Sequence, residues 1–248
     1  MPSGFCLTTE AFQQWARQEK LRDPAGERGA VGEFSTELRT QLVEAYAEMG
    51  RRSGDREASV AVRSSAIDED GRFASFAGQY ETYLNLQAAD EVVDAVLKCW
   101  RSTEAERVTE YRQRYGLSLE EIEMAVLVQH LVPADSSAVI FSAHPASHDR
   151  SQVVINASWG LGESIVGGTV TPDTFVVDKQ SMAVVESVVS EKHQMTVMVA
   201  GGTKEVPVPR FLRSQPTLSD EQLQNMTQLV LSRRQDGLAR RLGERLQS

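Results

Sequence analysis

The sequence predicts an α+β protein built as two lobes. Three observations carry that expectation. The first half is dominated by capped, amphipathic helical stretches. Short alternating strands interrupt it at Val60–Val62 and again around Thr82–Leu84. From Met124 onward the pattern turns almost wholly to strands. A β-rich half that follows a helical one suggests two lobes. The chain has 248 residues, enough for one large domain or two small ones. The expected division is a first lobe over 1–120, a β-rich lobe over 121–215, and a helix with an Arg-rich tail over 216–248.

Taken in order, Phe5 and Leu7 read as a short strand. Thr8 or Thr9 then caps a helix with Phe12 and Trp15 on one face. Asp23-Pro24-Ala25-Gly26 stops it. Ser35 caps a second helix with Leu38, Leu42, Tyr46 and Met49 in one stripe, and Gly50 is expected to end it. Asp90 is expected to cap a helix with Val93, Val96, Leu97 and Trp100 facing inward, and Thr103 to cap another. Met124–Val132 reads as a strand that turns at Pro133–Ser137 and returns over Ala138–Ser142. Further strands are expected at Val153–Ala157, Ala183–Val189 and Thr196–Val199. Gly201-Gly202-Thr203 is a turn, and Glu205–Pro209 is extended by its prolines. Ser219 caps the last helix, along which Leu223, Met226 and Val230 are apolar.

Composition narrows the function classes. Apolar residues make up 41% and charged residues 25%, the balance of an ordinary globular protein. A net charge of −9 argues against a general nucleic-acid or anionic-membrane binder, and leaves room for a local basic pocket. No apolar run approaches the length of a membrane span, and no signal peptide is visible at Met1–Cys6. Cys6 and Cys99 are far apart in apolar surroundings. Buried free thiols are expected, with neither a disulfide nor a cysteine metal site. A cytoplasmic protein fits these features.

The stretch from Val60 to Leu86 carries the chemistry. A short strand ends in Arg63, Ser64 and Ser65, an acidic turn follows at Asp68–Gly71, and a small-residue loop comes next. In that loop Ser75, Ala77 and Gly78 allow backbone N–H groups to approach an anion closely. An Arg at a strand end can hold the same anion with its planar fork. Phosphate is one reading of this combination. A hairpin with a solvated Arg is the other, and spacing alone does not separate them.

Farther on, Gly160-Leu161-Gly162-Glu163-Ser164-Ile165 and Gly167-Gly168 invite two comparisons that fail. A Rossmann fingerprint needs a third glycine where Ile165 stands, and a Walker A loop needs a Gly-Lys-Ser/Thr that is missing. Metal-ligand spacing is lacking among the histidines and cysteines, so no metal site made by protein ligands alone is expected.

The wording of these stretches is more specific than their spacing. Val62-Arg-Ser-Ser-Ala66 followed by Ser75-Phe-Ala-Gly-Gln-Tyr-Glu-Thr82 resembles the ATP-binding domain of the phosphoenolpyruvate synthase (pyruvate, water dikinase) family. Pyruvate phosphate dikinase and rifampin phosphotransferase share that domain. The resemblance continues at Pro2–Thr8, at Val128-Gln129, at Ala157–Glu163 with Val170-Thr-Pro-Asp173, and at Lys192 in Glu-Lys-His-Gln-Met. It implies an ATP-grasp-like fold truncated at both ends, with the nucleotide between two lobes.

The same resemblance implies residue roles. Arg63 holds phosphate as the catalytic residue, the Ser75–Gly78 loop covers it, and Thr82 supports it. Gln129 reads adenine, since an amide can both donate and accept. Without the resemblance, a Gln ending a strand is an ordinary surface residue. Glu163 either orients a basic residue of the nucleotide site or bonds to loop amides. ATP with Mg²⁺ is the implied cofactor set. The family's upstream lysine has no match here, and neither does its Gln-Asp-Ile-Glu-Trp-Ala metal-binding motif, since Gln235-Asp236 runs into Gly237-Leu238. His130, His144, His148 and His193 do not stand in a carrier-histidine context. The implied partners are therefore phosphohistidine and acceptor domains outside this chain, with pyruvate or an antibiotic as the acceptor. Two hypotheses stay open: an ATP-dependent phosphotransferase fragment, or a module that binds nucleotide or a partner without turnover.

Overall fold

A computed structural model describes residues 2–22, 33–54, 58–66, 81–114, 118 and 122–232. The chain divides into two compact units. One comprises Met1–Val132 with Val199–Thr203, the other Pro133–Met198 with Lys204–Ser248. Mixed helices and antiparallel sheets make the class α+β, as the sequence predicts. Among the described residues, no helix is long and apolar enough to cross a membrane.

The first unit holds strands β1 (Gly4–Leu7), β2 (Val60–Ala66), β3 (Thr82–Leu86) and β4 (Met124–His130). Its helices are α1 (Thr9–Arg22), α2 (Thr36–Ser53), α3 (Ala89–Arg101) and α4 (Glu106–Arg114). The strands form one sheet in the order β1-β4-β2-β3, with every neighbouring pair antiparallel. β4 pairs on both sides within this sheet, so the first unit extends past residue 120, where the sequence suggested its end. The reason is alternation: Met124, Val126 and Val128 are fully buried and join Val60 and Val62 in the core.

The helices cover that face. Val92, Val93, Val96 and Trp100 of α3 recur at helical spacing and are buried. Phe12, Trp15 and Phe34 surround the Trp100 ring at centroid distances of 5.7, 5.4 and 5.2 Å. Such pairs add about 0.5–1.5 kcal/mol each beyond burial. The indole N–H groups of Trp15 and Trp100 are buried with no hydrogen-bond partner among the described residues, a cost the aromatic packing must offset.

Several local expectations change. Ser35 caps α2 as expected, accepting from Leu38 N–H at 3.2 Å. The helix runs past the buried Gly50 to Ser53, and Gly54 ends it at φ 73°. Asp90 lies inside α3 and pairs with Arg39 at 2.6 Å, while Glu91 accepts from the N–H groups of Gln87 and Ala88 at the helix start. Thr103 donates back to the Trp100 carbonyl and caps nothing. Cys99 is buried, but Cys6 is exposed because its β1 position faces away from the core.

The second unit holds β5 (Ser136–Phe141), β6 (Gln152–Trp159), β7 (Asp173–Asp178) and β8 (Val184–Val188) in one antiparallel sheet of that order. The strand read at Ala138–Ser142 is present as β5 and pairs with β6, since both flanks of β4 are taken by β1 and β2. Between β6 and β7 lies the short helix α5 (Glu163–Val166). β9 (Gln194–Val199) and β10 (Gly202–Pro207) form a two-stranded ribbon, so Gly202 begins a strand rather than sitting in the turn. A last helix, α6, spans 220–232. Ser219 caps it reciprocally: Gln222 N–H donates to Ser219 Oγ, and Ser219 N–H donates to Gln222 Oε1. Leu218 and Leu223 pack with Val153, Ile155, Phe175 and Val177 as the second core.

Candidate nucleotide-binding face

The outer face of the first sheet is set by register. Residues opposite one another in an antiparallel ladder share a face. Cys6 faces Leu127, Leu127 faces Arg63, and Arg63 faces Thr82, so these four form one row across the sheet. The adjacent row on the same face runs Gly4, Gln129, Ala61. Arg63 and Gln129 are diagonal neighbours across β2 and β4, a relationship that places Cα atoms about 7–8 Å apart. Arg63 and Thr82 are exposed and Gln129 is half-buried. None of these three side chains has a hydrogen-bond or ion-pair partner among the described residues.

β2 changes character along its length, and that change aims Arg63. Val60 and Val62 enter the core, while Arg63 at the next position turns to the open face. Ser64 turns back, and its hydroxyl donates to the Glu81 carbonyl at 3.0 Å, clamping β2 to the chain entering β3. Gly4 leaves room for Gln129: a Cβ there would lie 2.5 Å from the Val128 carbonyl oxygen and 3.1 Å from Gln129 Cα.

Ser75, Ala77 and Gly78 lie outside the described residues. Glu163 stands in the second unit, exposed, in the first turn of α5. The turn before it is tight: Gly160 adopts φ 77° and donates to the Asp135 carbonyl, and Leu161 N–H donates to the Thr196 carbonyl at 2.8 Å. An open depression elsewhere in the first unit is lined by Glu81, Tyr83, Lys98, Arg101, Ser102, Ala105 and Glu106. It contains none of the sequence-predicted residues.

Two groups went unremarked as units in the sequence. Lys192 and Asp173, each quoted only within a longer motif, form a fully buried ion pair at 2.6 Å in the second unit. Their separation of 19 residues gives no local signal. Asn85 is buried, with φ 60°. An Asn breaking the alternation of Thr82-Tyr-Leu-Asn-Leu86 is a readable sign of a left-handed position in a strand.

Chemically, an exposed guanidinium, a hydroxyl and a primary amide on one sheet face suit an anion joined to a hydrogen-bonding base. Among the described residues, no group of three or more His, Cys, Asp or Glu side chains is gathered to hold a metal ion.

Helices on one face of an antiparallel sheet, with these donors on the other, make an α+β domain with one open polar face. The family described as "Pyruvate phosphate dikinase, AMP/ATP-binding domain" matches residues 29–235, and the chain belongs to it. It is 40% identical over 198 residues to a probable phosphoenolpyruvate synthase of Pyrococcus horikoshii, an alignment covering 77% of this chain and 24% of that protein. It is 35% identical over 247 residues to a rifampicin phosphotransferase of Streptomyces sviceus, covering 92% and 28%. It is 35% identical over 235 residues to the prodigiosin synthesizing transferase PigC of Serratia marcescens, covering 93% and 26%. The chain thus spans about a quarter of the length of these relatives.

Proposed function

We propose that this chain binds ATP on the outer face of its first sheet. In that role it is the ATP-using domain of a phosphoenolpyruvate-synthase-like phosphotransferase. The observation that supports this best is the convergence of Arg63, Thr82 and Gln129 on one face without partners among the described residues. Arg63 offers two parallel N–H donors to phosphate oxygens, and Thr82 beside it adds a hydroxyl donor. Gln129, one row away, offers both a donor and an acceptor to an adenine edge. By the family resemblance Ser75, Ala77 and Gly78 join the phosphate-binding residues, and Glu163 orients a basic group or loop amides.

ATP would supply the phosphoryl group, and Mg²⁺ carried on its phosphates would neutralise their charge. The protein's own part is positioning and fixed positive charge, which are the main demands of phosphoryl transfer. A histidine on a separate domain then takes the phosphoryl group and passes it to an acceptor such as pyruvate. A relative named rifampicin phosphotransferase keeps an antibiotic acceptor as a second reading. A cytoplasmic setting suits an ATP-using domain.

The test is calorimetric titration with ATP, with and without Mg²⁺, on wild type, Arg63→Ala and Gln129→Leu. A charge-assisted contact is worth about 1.5–3 kcal/mol, so Arg63→Ala should weaken binding roughly tenfold to a hundredfold. Gln129→Leu should narrow the preference for ATP over GTP. Assaying ADP, AMP and inorganic phosphate with a histidine-bearing domain supplied in trans separates an enzyme domain from a module that only binds. Equal affinity in all three proteins would contradict the proposal.

A further inference from the structure

We infer that Asn85 is a positioning residue for the Arg63 face: it holds a bulge in β3 that puts Thr82, rather than Tyr83, opposite Arg63. The inference rests on reading that face as the phosphate site. Its first half, the register, stands on geometry alone.

Val60 faces Leu86, whereas Val62 faces Tyr83 and Arg63 faces Thr82. One residue of β2, Ala61, therefore lies against two of β3, Leu84 and Asn85. That two-against-one count is a β-bulge. In an unbroken ladder continued from the Val60–Leu86 pair, Arg63 would face Tyr83. Side chains alternate between faces, so Thr82 would then turn to the core side and the Tyr83 ring would stand on the Arg63 face. The bulge decides which of the two accompanies Arg63.

Asn85 is built to keep it. Its φ of 60° lies in the left-handed region, which Asn tolerates better than other residues with a side chain. Its side chain is 2% exposed and tied at both ends. Nδ2 donates to the Val199 and Gly202 carbonyls at 2.6 and 2.7 Å. Oδ1 accepts from Ser59 Oγ at 2.8 Å, and Ser59 Oγ in turn accepts from Gln87 Nε2 at 2.9 Å. Val199–Thr203 belongs to the same unit as Asn85, so the bulge is pinned from within that unit.

The experiment compares wild type, Asn85→Gly, Asn85→Val, and Asn85→Val with Leu84 deleted, the last removing the extra residue so that the ladder again pairs Thr82 with Arg63. Cross-strand NMR contacts report which residue faces Arg63 and need no nucleotide; calorimetry reports ATP affinity. Asn85→Gly allows the left-handed conformation but loses the side-chain ties, so Thr82 is expected to stay opposite Arg63 with faster amide exchange across the bulge. Asn85→Val is expected to bring Tyr83 opposite Arg63 and to weaken ATP binding about tenfold or more, the loss of one hydrogen bond to a charged group. Deleting Leu84 in that background should restore both the Thr82 contact and most of the affinity. A role limited to stability predicts no slip and no rescue. Asn85→Ala supplies the same readout if Asn85→Val does not fold. Thr82 still facing Arg63 in both variants overturns the inference. A register slip that leaves ATP affinity unchanged overturns the reading of the face as a nucleotide site, and the positioning role with it.

Discussion

Lys192 Nζ lies 2.6 Å from Asp173 Oδ1, and neither side chain has exposed surface. Both side chains make further hydrogen bonds. Asp173 Oδ1 also accepts from Ser190 N–H, and Oδ2 accepts from both the N–H and the hydroxyl of Thr217. Lys192 Nζ donates further to the Ser190 carbonyl at 2.8 Å. One ion pair thus joins the start of β7, the segment before β9 and the turn before α6.

Removing one partner leaves the other charge buried, which costs about 3–5 kcal/mol. Asp173→Ala should therefore show a much lower urea midpoint. Replacing both residues by apolar ones of similar size should cost far less than Asp173→Ala. A double variant as unstable as the single would contradict this account of the pair.

Gly160 makes a second prediction. Its φ of 77° is unfavourable for any residue with a Cβ, and that atom would lie 2.3 Å from the Thr196 carbonyl oxygen. The same oxygen accepts from Leu161 N–H. Gly160→Ala should cost about 1–3 kcal/mol from backbone strain alone. Faster hydrogen exchange at the Leu161 amide is the specific sign, and unchanged protection there would count against it.

The two thiols should behave oppositely. Burial pushes the Cys99 thiol up to about 12, with the nearby Glu81 charge adding to the shift. Partial burial pushes Cys6 up too, but it is exposed. Iodoacetamide should label Cys6 alone in the folded protein, and bound ATP should slow that labelling, because Cys6 shares a row with Arg63.

The sign for alkaline stability follows from Cys99. Its folded value lies above the ordinary thiol value of 9.0. The unfolded chain therefore loses this proton first. The stability contributed is complete below pH 9.0 and is lost as pH rises toward about 12. Cys99→Ala should remove that part of the alkaline decline; an identical decline in the variant would contradict the assignment.

How much of this was legible follows residue by residue. Val60 and Val62 against Arg63 is a local alternation, so the strand and the outward Arg could be read directly. Ser35 and Ser219 stand in capping positions with their bonding partners three residues on. Gln129 could be given a role only by resemblance, because nothing local separates it from a surface Gln. Pairing between distant strands was hidden: that β4 belongs with β1 and β2, and β5 with β6, depends on contacts far apart in sequence. The Lys192–Asp173 pair was hidden for the same reason. Asn85 signals a left-handed position locally, but the register shift shows only against β2, and that shift decides the face that Thr82 occupies.

The most direct test of the central claim is an NMR titration of the backbone amides with ATP and Mg²⁺. Binding on the outer face of the first sheet predicts the largest changes along the rows of Cys6, Leu127, Arg63 and Thr82 and of Gly4, Gln129 and Ala61. Saturable changes confined to the depression around Tyr83, Lys98 and Arg101, with both rows unmoved, would contradict it.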